Sequence, residues 1–125
     1  MATAAEQVSA ARAEIENLSA DVVATEIENG AVLVDLREAD EVAAGMIPSA
    51  IHIPRGMLEF RADPTSPYHD ERLAPDKRVL LHCASGGRSA LGASALKSLG
   101  YDNVAHLDGG FGAWKDAGLP VEGAQ

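Results

Sequence analysis

The single cysteine of this chain, Cys83, opens the run CASGGRS, which ends at Ser89. An apolar, strand-like segment at residues 79–82 precedes this run, and an alanine-rich, helix-like segment at residues 90–99 follows it. A thiol placed where a strand ends and a helix begins lies among backbone N–H groups, which stabilise the anionic form of sulfur. Because the thiolate is the reactive form of cysteine, these residues predict nucleophilic catalysis by Cys83.

The loop after Cys83 contains the groups that such a thiolate needs. An ordinary thiol has a pKa of ~8.5, and lowering that pKa by about two units requires roughly 2.7 kcal/mol of differential stabilisation. One or two charge-assisted hydrogen bonds from loop amides, each worth ~1.5–3 kcal/mol, supply that amount. Gly86 and Gly87 allow the loop to curl, and Arg88 offers a planar fork of donors to an oxyanion. Ser89 is a candidate helix cap or hydroxyl donor. The alternative is a buried core cysteine before an ordinary glycine turn, but the continuation GGRS favours the catalytic interpretation.

The run from Cys83 to Ser89 resembles the active-site loop of the rhodanese family of sulfurtransferases. Three further stretches resemble motifs of that family and occur in the family's order: LVDLRE with the following Glu41 and GMIP, then AIHIP, then GY and VAHLDGGF with Trp114. The resemblance covers roughly residues 18–122. Met46 stands where His is common and Ser49 where Gly is common, and these two departures bear only on the geometry of that turn.

The resemblance implies that Cys83 is the catalytic residue and that the six residues after it bind the substrate: Ala84, Ser85, Gly86, Gly87, Arg88 and Ser89. The implied reaction moves a sulfane sulfur from thiosulfate, or a related small anionic donor, to a thiophilic acceptor. That acceptor is cyanide, a small thiol or a protein cysteine. A persulfide on Cys83 is the intermediate, and neither a metal nor an organic cofactor is expected.

Two other functions stay open at this point. Rhodanese-like domains also serve as persulfide carriers without turnover or as regulatory binding modules, and the residues do not separate these roles from catalysis. Phosphatase or arsenate reductase chemistry likewise uses a cysteine and an arginine around an oxyanion. It is less favoured, because phosphatases of this type place five residues between the two, whereas four lie between Cys83 and Arg88.

Composition predicts one acidic domain without nucleic-acid or membrane partners. The 125 residues suit a single domain, and a hydrophobic content of 46% is enough for a globular core. No apolar run approaches the ~18 residues of a membrane span, and no secretory signal is recognised at the N-terminus. A lone cysteine fits a reducing compartment, so a cytoplasmic location is expected.

The net charge of the chain is −9, which argues against nucleic-acid and anionic membrane partners. Residues 77–101 nevertheless carry a charge of +4 and the rest of the chain −13, so an anionic donor meets local positive charge. Nothing indicates the oligomeric state.

Alternating helix and strand patterns predict an α/β fold with a mainly parallel central sheet and helices on both faces. Helices are predicted at residues 4–15, 20–28, 38–44, 88–99 and 111–117, a helical turn at 55–60, and strands at 32–35, 51–53, 78–82 and 104–107. Residues 62–75, with three prolines, are predicted to form a loop. Residues 1–17 are expected to form an N-terminal helical extension and residues 18–125 a single rhodanese-like domain. Ligands bind at the carboxyl ends of the strands in such folds, where Cys83 falls.

A second tier of site residues is less specific. Asp35 and Arg37 follow a strand, and their pattern favours a structural ion pair over a role in positioning substrate. His82 adjoins Cys83 in a strand, so direct pairing is not expected, since neighbouring strand residues point to opposite faces. His106 lies in a strand pattern typical of a satisfied core histidine. The apolar and aromatic residues of the long loop either form a rim over the pocket or pack on the flank of the domain: Met57, Leu58, Phe60, Tyr68 and His69.

Overall fold

A five-stranded, wholly parallel sheet forms the centre of the computed structural model, which describes residues 2–123. The strands are β1 (Glu16–Leu18), β2 (Val32–Asp35), β3 (Ile51–His52), β4 (Val79–His82) and β5 (Val104–Leu107), in the order β1-β5-β4-β2-β3. Four of them lie where strands are predicted. The sequence predicts no strand at β1, because three residues with two exposed polar side chains carry no apolar alternation.

Within residues 2–123 the α-helices are α1 (Ala4–Glu14), α2 (Ala20–Glu28), α3 (Ala39–Ala43), α4 (Leu58–Ala62), α5 (Gly87–Ser98) and α6 (Gly110–Asp116). Helix α1 precedes β1, α6 follows β5, and the other four lie between successive strands. A 3₁₀ turn, Arg55–Met57, leads directly into α4, so the helical turn predicted at residues 55–60 is longer than expected. No helix within residues 2–123 is long and apolar enough to cross a bilayer.

The central strands β2 and β4 are apolar on both faces, and each face packs against a separate layer of helices. On β4, Val79 and Leu81 belong to the cluster that includes residues of α4 and α5, whereas Leu80 belongs to the cluster that includes residues of α2 and α6. On β2, Val34 and Leu33 divide in the same way. This alternation confirms the predicted α/β sheet with helices on both faces.

The N-terminal segment joins the sheet rather than only preceding it. Helix α1 packs against α5, and β1 pairs in parallel with β5. The boundary expected at residue 18 therefore lies at the end of an edge strand of the same sheet. Met1, Ala124 and Gln125, at the ends of the two predicted segments, lie outside the described residues.

The functional loops meet at one edge of the sheet. In parallel strands the carboxyl ends share an edge, and the β2–β4 register places Asp35 opposite His82, the last residue before Cys83. Strand β5 ends beside β4 and leads through a two-glycine turn into α6. This edge is the one at which the sequence predicts the site.

Candidate active site

Two backbone amides converge on the sulfur of Cys83. The N–H groups of Gly86 and Ser89 donate to Sγ, with nitrogen–sulfur distances of 3.2 and 3.4 Å. Gly86 adopts a φ of +112° at the N-cap of α5, a conformation that glycine reaches without steric cost. The loop thus turns its amides inward, as its sequence predicts.

The hydrogen bonds around Sγ outweigh the effect of burial. Cys83 is 1% exposed, and such burial by itself raises the pKa of a thiol. Hydrogen bonds from the hydroxyl and amide of Ser89 and from the amides of Gly86 and Ser85 reverse that effect, so the pKa of Cys83 is lowered. The thiol is therefore more acidic than its burial alone would make it.

A chain of side chains runs from the thiol to the edge strand. Cys83 Sγ lies 3.6 Å from Ser89 Oγ, which lies 2.8 Å from His106 Nδ1. His106 Nε2 in turn lies 2.7 Å from Asn17 Oδ1, on the strand residue that faces it in the β1–β5 register. His106 is a buried histidine with both ring nitrogens paired, as its strand pattern indicates. Its link to the thiol through Ser89 has no signal in the sequence, because it depends on how α5 packs against β5, and its contact with Asn17 depends on the pairing of β1 with β5.

Arg88 is held by an acidic partner that the sequence analysis leaves unassigned. Its Nη1 and Nη2 donate to Glu41 Oε1 and Oε2 at 2.7 and 2.9 Å. Glu41 Oε1 also accepts the N–H of Glu38 at the start of α3. These contacts, with the Arg88 hydrogen bond the largest cause, lower the pKa of Glu41 to about 2. The hydrogen bonds to Glu41 are the main cause that raises the pKa of Arg88, and the negative charge of Cys83 adds to their effect.

Helix α6 holds the thiol loop from the other side. The amides of Phe111 and Gly112 donate to the carbonyls of Cys83 and Ala84 at 2.8 and 3.2 Å. Gly110 adopts a φ of +62°, and a Cβ there would lie 2.6 Å from the Cys83 carbonyl oxygen. Only glycine allows this approach of the two backbones, which gives the glycine pair before Phe111 a structural reason.

Asp35 and Arg37 form the structural ion pair that the sequence favours. Their side chains are 0% and 4% exposed, and Arg37 Nη2 donates to Asp35 Oδ2 at 2.8 Å. Burial raises the pKa of Asp35, but His82 and Arg37 together bring it well below its ordinary value. His82 Nε2 lies 3.4 Å from Asp35 Oδ2 without the geometry of a hydrogen bond. The Arg37 guanidinium also lies 4.1 Å from the ring centre of Phe111.

The apolar residues of the long loop do not form one rim. Leu58 is fully buried in the core, whereas Phe60 and Tyr68 are 53% and 57% exposed. Among the described residues, no hydrogen bond or ring contact joins Phe60 to the thiol loop.

A cavity of about 350 Å³ lies between α2 and α6, lined by Ala24, Ile27 and Trp114 among others. It contains no residue of the thiol loop, so it is not the predicted active site.

Comparison with known proteins places the chain in one family. The family described as "Rhodanese-like domain" matches residues 19–117. A protein of Allochromatium vinosum named "Sulfurtransferase" is 35% identical over 106 residues, which are 85% of this chain and 89% of that protein.

Two solved structures extend the comparison. One is from Rhodopseudomonas palustris and is described as a protein of unknown function and a possible tyrosine phosphatase. It is 40% identical with a TM-score of 0.90, and the match covers 98% of this chain and 96% of that one. The thiosulfate sulfurtransferase of Pseudomonas aeruginosa is 26% identical with a TM-score of 0.73, over 88% of this chain and 20% of that one.

Proposed function

Because the chain belongs to the rhodanese-like domain family, we propose that it is a sulfurtransferase that moves a sulfane sulfur through a persulfide on Cys83. A sulfurtransferase activity in general is supported by the sulfurtransferase-named protein of Allochromatium vinosum. Thiosulfate, or a related small anion, is the proposed donor. Cyanide, a small thiol or a protein cysteine is the proposed acceptor.

The observation that carries the proposal is the convergence of amides on Sγ. Hydrogen bonds from Gly86 and Ser89 stabilise negative charge on Sγ, both on the attacking thiolate and on the thiolate that leaves when the acceptor takes the outer sulfur. A core cysteine without a chemical role has no need of donors directed at its sulfur. The lowered pKa of the Cys83 thiol has the same physical cause.

The proposed reaction has two displacement steps. The Cys83 thiolate attacks the outer sulfur of thiosulfate, so that a new S–S bond forms while the donor's S–S bond breaks and its electron pair leaves with sulfite. The acceptor then attacks the outer sulfur of the persulfide, and the electron pair of that bond returns to Sγ. Cyanide would yield thiocyanate. The scheme uses no cofactor and involves no net oxidation of the protein.

Arg88 is the proposed binding group for the oxygens of the donor. Arg88 lies in the first turn of α5, directly after the thiol loop, and the side chains of Arg88 and Glu41 are 36% and 31% exposed. Since Cys83 is 1% exposed, a donor reaches Sγ only when side chains over the loop move aside. The Arg88–Glu41 pair is the partly exposed contact that such a movement would open.

Steady-state production of thiocyanate from thiosulfate and cyanide tests the proposal. Cys83→Ser should lower the rate about a thousandfold or more, because the serine hydroxyl is not ionised at neutral pH. Ser98→Ala, at the far end of α5, is the matched control and should retain the rate. A wild-type rate no higher than that of Cys83→Ser would overturn catalytic turnover. A single-turnover transfer from the preformed persulfide to a thiol would then identify a carrier.

Phosphate-monoester hydrolysis is the second candidate, because the similar structure from Rhodopseudomonas palustris is described as a possible tyrosine phosphatase. The thiol loop argues against it, since four residues separate Cys83 from Arg88 and leave a smaller cradle for a tetrahedral phosphate. Hydrolysis of p-nitrophenyl phosphate that disappears in Cys83→Ser would favour this candidate instead.

We also propose a reducing compartment such as the cytoplasm, in which the free Cys83 stays reduced.

A further inference from the structure

A chain of hydrogen-bonding side chains leads from Cys83 through Ser89 and His106 to Asn17. The orientation of the Asn17 amide determines which atom donates in each of these contacts. The Nδ2 group of Asn17 donates to the carbonyls of Arg12 and Ile15 at 2.9 and 3.1 Å, so the amide orientation is fixed. The Oδ1 atom of Asn17 must then be the acceptor in its contact with His106. It follows that His106 Nε2 carries the hydrogen.

The tautomer of His106 in turn determines where the hydroxyl hydrogen of Ser89 points. With the hydrogen on Nε2, the Nδ1 atom of a neutral imidazole is an acceptor, and Ser89 Oγ donates to it across 2.8 Å. The competing acceptor, the carbonyl of Gly86, is more distant at 3.3 Å and already accepts the amide of Ala90. The lone pairs of Ser89 Oγ therefore face the thiol of Cys83.

From this geometry we infer that His106 is the proton acceptor for the Cys83 thiol, acting through the hydroxyl of Ser89 and oriented by Asn17. The Sγ–H bond breaks as an Oγ–H bond forms, and the original hydroxyl proton passes from Oγ to Nδ1. The products are a thiolate and an imidazolium, with no change of oxidation state. His106 does not touch the sulfur, so it is a positioning residue that also stores the proton.

Every donor in the product state has an acceptor already in place. The imidazolium donates from Nε2 to Asn17 Oδ1 and from Nδ1 to Ser89 Oγ, and the hydroxyl then donates to the thiolate. The transfer replaces the weak hydrogen bond from the thiol to Ser89 Oγ with a charge-assisted hydrogen bond from that hydroxyl to the thiolate. The relay explains why a buried serine and a buried histidine are aligned behind the nucleophile, with the exposed Asn17 at the far end.

Burial, rather than the charged groups around it, favours the neutral ring of His106 before the transfer. Burial is the main cause that lowers the pKa of His106, the guanidinium of Arg12 adds to it, and the carboxylate of Asp108 opposes it. Arg12 and Asp108 form an ion pair of 2.7 Å, so their effects partly cancel. The remaining neighbours, Ser89 and Asn17, are neutral, and the thiolate is the nearby charge that appears during the reaction.

One end of the relay comes from the edge strand. Asn17 and Arg12 precede the stretch matched by the family, residues 19–117, and the β1–β5 register brings Asn17 opposite His106. The N-terminal segment therefore contributes to the chemistry of the thiol. This inference rests on the proposed function only in that sulfur transfer is what the thiolate would be used for. The proton transfer from Cys83 itself can be measured without any sulfur donor.

The pH dependence of Cys83 alkylation by iodoacetamide tests the relay. In the wild-type protein the thiol and imidazole titrate as a pair, so the rate should rise with pH in two steps. In His106→Asn an amide can still bond Ser89 but cannot take a proton, so one step at higher pH and an about tenfold lower rate at pH 7 are expected. His69→Asn is the matched control, because His69 bonds only a backbone carbonyl, that of Leu73. It should leave the profile unchanged.

Imidazole nitrogen NMR of the wild-type protein gives a second measurement that requires no variant to fold. At rest His106 should carry its hydrogen on Nε2, and alkylation of Cys83 should lower the pKa of His106, because its anionic partner is removed. A hydrogen on Nδ1 at rest, or identical alkylation profiles for wild type and His106→Asn, would overturn the relay. If persulfide never forms but these titrations behave as expected, the proposed function fails and the relay stands.

Discussion

Replacing Gly110 by alanine tests how α6 holds the thiol loop in place. A Cβ at this position would lie 2.6 Å from the Cys83 carbonyl oxygen and from the Ala84 carbonyl carbon, whereas ordinary contacts are 3.4–4 Å. Both neighbours are backbone atoms, so the strain cannot be relieved by a change of rotamer. The loop must shift, and the hydrogen bond from the Phe111 amide to the Cys83 carbonyl must lengthen.

The cost has two parts. An alanine at a φ of +62° loses roughly 1–2 kcal/mol relative to glycine. Forcing a methyl group into a packed site adds about 1–3 kcal/mol. We therefore expect Gly110→Ala to lower the free energy of unfolding by about 2–5 kcal/mol, a large part of the ~5–15 kcal/mol typical of a domain.

Urea unfolding and the alkylation rate of Cys83 measure the two consequences. Gly110→Ala should unfold at lower urea and react several-fold more slowly at pH 7, because the displaced loop directs fewer amides at Sγ. Gly112→Ala is the matched control: its Cβ would lie 3.8 Å from the Ala84 carbonyl oxygen, and it should be neutral or stabilising by about 0.5–1 kcal/mol. Equal stability of the two variants would refute the role of Gly110.

Three further outcomes are expected. Glu41→Gln should lower the KM for thiosulfate several-fold, because it removes a competing charge from Arg88 while keeping one hydrogen bond; steady-state kinetics showing a raised KM would contradict this. Asp35→Asn should lower the free energy of unfolding, measured in urea, by about 3–5 kcal/mol, because it leaves the buried charge of Arg37 uncompensated. The control Asp70→Asn should lower it by under ~1 kcal/mol, because the partner of Asp70, Arg72, is largely exposed. The Asp35 pKa is lowered on folding, so its contribution is fully present above the ordinary pKa of 3.8 and declines as the pH falls below it. Wild type should therefore lose this part of its stability in acid, and Asp35→Asn should not.

The sequence predicts the parts of the site that are local in the chain. The run from Cys83 to Ser89 carries its own information, because the order of strand, glycine-containing loop and helix fixes where the amides point. Apolar runs on β2, β4 and β5 likewise indicate buried parallel strands, and their carboxyl ends indicate the edge that bears the site.

The parts that depend on register or on distant backbones are not predictable in this way. Asn17 meets His106 only because a three-residue edge strand pairs with β5, and no apolar pattern marks that strand. The Arg88–Glu41 pair joins α5 to α3 across the site. The sequence predicts Arg88 as a donor in the thiol loop, but no local pattern indicates that Glu41 is its partner. The need for glycine at position 110 comes from the Cys83 carbonyl, which is distant in sequence.

Intact-mass analysis after exposure to thiosulfate tests the central claim most directly. With no acceptor present, the wild-type protein should gain ~32 Da, the mass of one sulfur, on Cys83, and should release one equivalent of sulfite. Cyanide should then remove the added mass and yield thiocyanate. A wild-type protein that never gains this mass, or a gain that also occurs in Cys83→Ser, would contradict the persulfide mechanism.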